Sequence, residues 1–159
     1  MIRVQQEDFD IGAELAALSA GDTTIGGVAS FTGLVRDMTP IEGADRSIST
    51  MTLEHYPGMT EKKLSEIEAE ANQRWPLAAS LIIHRYGTLA PGDQIVFVAC
   101  ASAHRQAAFD ACQFLMDWLK TDAPFWKLED TDTGGVWVDA RDSDDAAAAR
   151  WSKDPSDAA

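Results

Sequence analysis

The chain has 159 residues, enough for one hydrophobic core and short for two. Its formal net charge of −13 opposes association with nucleic acid or an anionic membrane, so a small anionic ligand would need basic residues gathered locally. Apolar residues make up an ordinary globular 45% without a run near the roughly 20 residues a bilayer span requires, and Met1 to Gln6 lacks the charged-then-apolar order of a signal peptide.

In chain order, Ile11, Leu15 and Leu18 predict a short amphipathic helix that stops near Gly21. Ile25 to Gly33, rich in β-branched residues and glycine, predicts a strand with close backbone contacts. Thr39 to Ser47, with Pro40 and Gly43 among polar residues, is expected to form an exposed, mobile loop. Met51, Leu53 and His55 alternate with Thr52, Glu54 and Tyr56 as a half-buried strand does, and Pro57-Gly58 turns the chain. Thr60 is the expected cap of a helix that buries Leu64, Ile67, Ala71 and Trp75 and ends at Pro76.

Two further strands are predicted around Ser80–Tyr86 and Gln94–Ala101, joined through Ala90-Pro91-Gly92-Asp93. A long helix follows Ser102 and runs to about Lys120. Its apolar stripe is Ala108, Cys112, Leu115 and Leu119, and its polar stripe is Gln106, Asp110, Gln113, Asp117 and Lys120. A short strand at Val136–Asp139 and a helix from Ser143 through Trp151 complete the elements. The fold class is α+β: one compact domain over residues 1–151, with mixed or antiparallel strands and a long central helix. Residues 152–159 are polar and small and are expected to be a disordered tail. Cys100 and Cys112 are too few and too far apart for a disulfide framework or a zinc site. They fit a reducing compartment, the cytoplasm, and no metal or cofactor site is expected.

The thirteen Lys and Arg residues gather in a few places. Ser102-Ala103-His104-Arg105 opens the long helix. With Ser102 as its cap, His104 and Arg105 fall in the first turn, where backbone N–H groups and two cations can grip a phosphate. Both side chains could equally reach solvent or a neighbouring carboxylate. Lys120 closes the same helix, and on spacing alone it is an ordinary solvated lysine favoured by the helix dipole. Pro124 stops the helix and lets the chain turn back, bringing Lys127 toward Lys120 beside Phe125 and Trp126. Two ammonium groups held close near aromatic walls would lower a lysine pKa and make it a usable base or nucleophile. The bland alternative is a surface loop with its aromatics turned inward. Arg36, after Phe31-Thr32-Gly33-Leu34-Val35, is a fourth candidate whose claim rests on its motif.

The blocks Phe31-Thr32-Gly33-Leu34-Val35-Arg36, Leu53-Glu54-His55-Tyr56-Pro57-Gly58-Met59, Ser102-Ala103-His104-Arg105 and Leu119-Lys120 through Pro124-Phe125-Trp126-Lys127 occur in this order over about Ile25 to Trp151. Together the chain closely resembles the molybdopterin synthase large (catalytic) subunit family. The resemblance implies an α/β hammerhead-like fold. It implies a sulfurtransferase that converts cyclic pyranopterin monophosphate to molybdopterin by installing two dithiolene sulfurs. Sulfur would arrive as a thiocarboxylate on the C-terminal Gly-Gly of a small ubiquitin-fold subunit, which frees Cys100 and Cys112 from carrying it. By the same resemblance, Lys120 and Lys127 are catalytic, Arg36, His104 and Arg105 bind the anionic pterin, and two copies of this chain pair within a heterotetramer. Arg105 and Lys120 are fifteen positions apart on one helix, roughly 22 Å at ~1.5 Å per residue. One small substrate cannot touch both in one chain, so His104 and Arg105 of one protomer are expected to complete the Lys120–Lys127 site of its partner. The competing readings are a non-catalytic anion-binding module and a scaffold that merely docks a ubiquitin-like tail.

Overall fold

A computed structural model describes residues 1–36, 50–121, 123–131, 134–138, 146 and 148–152. The predicted loop at 39–47, the start of the last helix and most of the expected tail lie outside them. The elements are β1 (Ile2–Gln5), α1 (Ile11–Ser19), β2 (Gly27–Leu34), β3 (Thr50–His55), α2 (Met59–Arg74), β4 (Leu77–Arg85), β5 (Gly87–Leu89), β6 (Gln94–Ser102), α3 (Arg105–Thr121), β7 (Phe125–Thr131), β8 (Gly134–Val138) and a 3-10 turn at Arg150–Ser152. They form two four-stranded sheets, ordered β1-β4-β6-β2 and β5-β3-β7-β8. Among the described residues only β1 pairs in parallel, against β4; the other pairings are antiparallel. This is the α+β class expected from the mixed order of elements.

The first sheet is covered on both faces, which explains the unbroken apolar runs of β4 and β6. Leu81, Ile83, Phe97 and Ala99 point to one face, where Phe9 and the apolar side of α1 (Ile11, Leu15, Leu18) cover them. The alternate residues Ile82, Val96, Val98 and Cys100 meet α2 and α3 through Leu64, Ile67, Ala71, Ala111, Phe114 and Leu115. A smaller cluster of Val35, Met51, Leu53 and Leu89 underlies the second sheet. The apolar stripe expected of α3 is buried along its whole length. Among the described residues, no helix is long and apolar enough to cross a membrane.

Two expected caps are corrected. α2 begins at Met59 after Gly58, whose φ of +83° is a conformation glycine adopts at little cost. The Gly58 N–H donates to Glu61 Oε2 at 2.6 Å, the acidic half of a capping box. Thr60, fully buried inside the first turn, instead accepts from the Tyr56 N–H (3.1 Å) and donates to the Pro124 carbonyl (3.2 Å). α3 likewise begins at Arg105, so His104 stands just before the helix rather than in its first turn. Ser102 ends β6; its hydroxyl donates to the Pro76 carbonyl (2.9 Å) and accepts from the His104 N–H (3.3 Å). In both cases a hydroxyl with the composition of a cap serves a long-range tie instead.

The segment after Pro124, read from sequence as a turn-back, is the strand β7, which pairs with β3 from His55↔Phe125 to Thr50↔Asp130. The short β5 is a further strand beyond those the sequence predicts. At Tyr86 the chain leaves the first sheet for the second, turning at Gly87 with φ +89°. β5 then pairs with β3 from Leu53↔Gly87 to Met51↔Leu89.

Candidate active site

Strand register fixes which basic residues share an end of the molecule. Leu34 pairs with Gln94 and His84 with Val96, whereas Gly27 pairs with Ser102 at the opposite end of β6. Arg36 therefore follows the Gln94 end. There Val35 is held by the Asp93 carbonyl (2.9 Å) and itself accepts from the Gly92 N–H (2.7 Å). α3 runs back along the sheet, so Lys120 in its last turn returns to that same end while His104 and Arg105 stay at the other. The unbroken helix keeps Arg105 and Lys120 about 22 Å apart along its axis, as the spacing required. Arg36, Lys120 and the start of β7 are thus brought to one end; His104 and Arg105 are not.

His104 and Arg105 are exposed, as are Arg36 and Lys120. A single protomer therefore does not enclose Lys120 between aromatic walls. Lys127 lies in β7, two residues from Phe125, with its backbone paired to Leu53 on one side and Val138 on the other. A link of three residues, 122–124, joins the two lysine-bearing elements. Its Ala123 N–H bonds the Trp118 carbonyl at 3.3 Å, and the Phe125 N–H bonds the Ala123 carbonyl at 2.8 Å.

Around this junction lie rings that sequence reasoning did not assign. His84 stacks on Phe125 with centroids 3.7 Å apart and planes 16° apart. His55 meets Tyr86 at 4.2 Å, and its Nε2 lies 3.7 Å from Glu61 Oε1. Tyr56 meets Trp126 edge-on at 5.5 Å, and both are exposed, as is Met59 three residues on from Tyr56. His55 and Tyr56 sit inside a block that the resemblance already marked. Nothing in the sequence signals His84, because its partner Phe125 is 41 positions away and belongs to the other sheet.

The His84 imidazole is buried, and burial pushes it down to about 4. A hydrogen bond with the Arg85 carbonyl (2.9 Å) works against that shift, while the nearby charges of Lys120 and His55 add to it. A carbonyl only accepts, so the neutral ring carries its proton on Nδ1. The two thiols are removed from chemistry by burial, which raises Cys100 to about 12 and Cys112 to about 11.

Gly26 fixes the opposite end. Its N–H donates to the Ser102 carbonyl at 3.0 Å, and a Cβ there would lie 2.2 Å from the Ala103 carbonyl oxygen. Glycine is required because this backbone must pass hard against the residue before His104. Gly26→Ala is expected to cost about 1–3 kcal/mol, as over-packing does; chemical denaturation would measure the loss.

Fold and site together define a class: a two-sheet α+β domain whose central helix carries cations at both ends, with one end joined directly to a second lysine-bearing strand. Comparison with known proteins narrows this. The model of the MoaE protein family matches residues 4–122. The molybdopterin synthase catalytic subunit of Pseudomonas aeruginosa is 61% identical over 150 residues, covering 94% of this chain and 97% of that protein. Among solved structures, the molybdopterin biosynthesis MoaE protein of Burkholderia ambifaria superposes with a TM-score of 0.81 at 53% identity, covering 97% of this chain and 99% of that one. The molybdopterin synthase structure from Staphylococcus aureus gives 0.76 at 29% identity, covering 86% of this chain and 96% of that one. The chain belongs to the MoaE family.

Proposed function

We propose that this chain is the catalytic subunit of a molybdopterin synthase. It transfers sulfur from the thiocarboxylated C-terminus of a small ubiquitin-fold subunit to cyclic pyranopterin monophosphate, forming the dithiolene of molybdopterin. The observation that carries this reading is the junction of α3 and β7, where a three-residue link, 122–124, held by hydrogen bonds joins the helix end bearing Lys120 to the strand bearing Lys127. In this reading Lys120 and Lys127 orient the thiocarboxylate and move protons as sulfur adds to the pterin. The exposed Tyr56, Met59 and Trp126 receive the partner's tail, since flat aromatic and thioether surface suits an extended Gly-Gly segment with little side chain of its own.

Arg36, His104 and Arg105 bind the anionic pterin. Because α3 keeps Arg105 far from Lys120, each site takes His104 and Arg105 from a second copy of the chain, giving two sites per dimer and a heterotetramer with two small subunits. The buried, unreactive thiols support a scheme in which the partner supplies the sulfur, and a reducing cytoplasm is the fitting location.

The test mixes this protein with a thiocarboxylated small subunit and cyclic pyranopterin monophosphate, then follows molybdopterin in a single turnover. Product formation is the expected result. Absence of product with an authentic, bound partner would favour a docking or anion-binding protein.

A further inference from the structure

His84 is a buried polar side chain at the junction to which the sulfur-transfer scheme gives no part. The residue is 8% exposed, and its ring lies flat on Phe125, the first residue of β7. Its Nδ1 is tied to the Arg85 carbonyl, at the point where the chain leaves the first sheet for the second. Backbone ties and one hydroxyl also hold the span from Lys120 to Lys127: Ala123 N–H to Trp118, Phe125 N–H to Ala123, Thr60 to the Pro124 carbonyl, and the pairing of β7 with β3 and β8. These ties hold backbone; the Phe125 ring itself packs partly against the main core and lies flat on His84.

We infer that His84 is a positioning residue of this site: by stacking on Phe125 it fixes the start of β7, and with it the Lys127 backbone, against the end of α3 that carries Lys120. The inference rests on the synthase reading for its functional consequence. The residue type follows from three demands made at one place. The side chain must be flat to stack on Phe125, must donate a hydrogen bond to Arg85, and must remain uncharged beside Lys120. Phenylalanine meets the first and third, alanine only the third, and lysine or arginine would add a positive charge next to Lys120.

Amide hydrogen exchange on the whole protein tests the structural half without any substrate. His84→Ala is expected to speed exchange at Phe125, Trp126 and Lys127 by ~10-fold or more, as loss of a local restraint does, with His84→Phe close to wild type. Unchanged exchange in His84→Ala overturns the inference. So does faster exchange spread equally over β4 and β6, which would mean general destabilisation. In the single-turnover assay, His84→Ala is expected to lower the saturating rate by ~10-fold while the half-saturating pterin concentration moves less than about two-fold, the pattern of misplaced reacting groups. His84→Phe should recover most of that rate. Equal rates in wild type and His84→Ala, or a change confined to half-saturation, also overturn it. If the wild-type protein makes no product, the synthase reading fails, while the exchange experiment still decides whether His84 holds β7.

Discussion

Lys120→Ala and Lys127→Ala are each expected to slow single-turnover molybdopterin formation by at least ~100-fold, the scale of lost acid–base catalysis. Both variants should still fold and bind the small subunit. Lys120 is exposed in the last turn of α3, where its removal empties no part of the core. Lys127 keeps its backbone pairing to Leu53 and Val138 whatever its side chain. Activity and stability should therefore separate cleanly, and a lysine variant with full activity would remove that residue from the catalytic role.

The same variants test the shared site. Arg105→Ala is expected to slow the reaction at limiting pterin, because the anion loses a charged hydrogen-bond donor. Randomly co-assembled Arg105→Ala and Lys120→Ala protomers should regain about a quarter of wild-type activity. Half of the dimers would be mixed, and in each mixed dimer one of two sites draws both intact residues from different chains. If both residues served one site within a single chain, no mixture could restore activity. Failure to recover, with mixed dimers confirmed by mass, would reject the shared site.

The second large effect is on stability in acid. His84 is held down to about 4 by burial, against an ordinary value of 6.5 in the unfolded chain. Between those values the unfolded state binds a proton that the folded state refuses, so stability falls as pH drops from about 6.5 toward about 4 and levels off below. At about 1.4 kcal/mol per pH unit, the loss amounts to roughly 3–4 kcal/mol. Denaturant unfolding at a series of pH values should show this slope in wild type and lack it in His84→Phe. Asp8, kept low by the Phe9 N–H, Gln94 and Arg85, loses stability only at more acid pH, as pH falls through its lowered value. Above about pH 4.5 the difference in slope between wild type and His84→Phe therefore reports the histidine rather than Asp8. Parallel slopes in the two proteins would show that the folded protein accepts the proton on His84 at little cost.

Much of this was legible before any coordinates. The period of 3.6 in α3 and the apolar alternation of β3 are local patterns, and local patterns survive in sequence because each residue's burial is set by its own element. The helix length that separates Arg105 from Lys120 is likewise a counting argument, and it stands. The order of the four motif blocks was enough to indicate the family. What the sequence left undecided concerns residues whose partners are far away along the chain. Thr60 and Ser102 have the composition of helix caps, yet their hydroxyls tie to Pro124 and Pro76, 64 and 26 positions distant, because the packed core leaves those carbonyls needing donors. β7 was hidden for a similar reason: its short alternation is interrupted by charge, and only pairing with β3 makes it a strand. His84 shows the limit most plainly. Within β4 it is one polar residue at the end of an apolar run, and its stacking on Phe125 and nearness to Lys120 exist only because two sheets and a helix end meet there. Local patterning set most of the elements and the chemical types at hand; tertiary packing set which of those residues stand together.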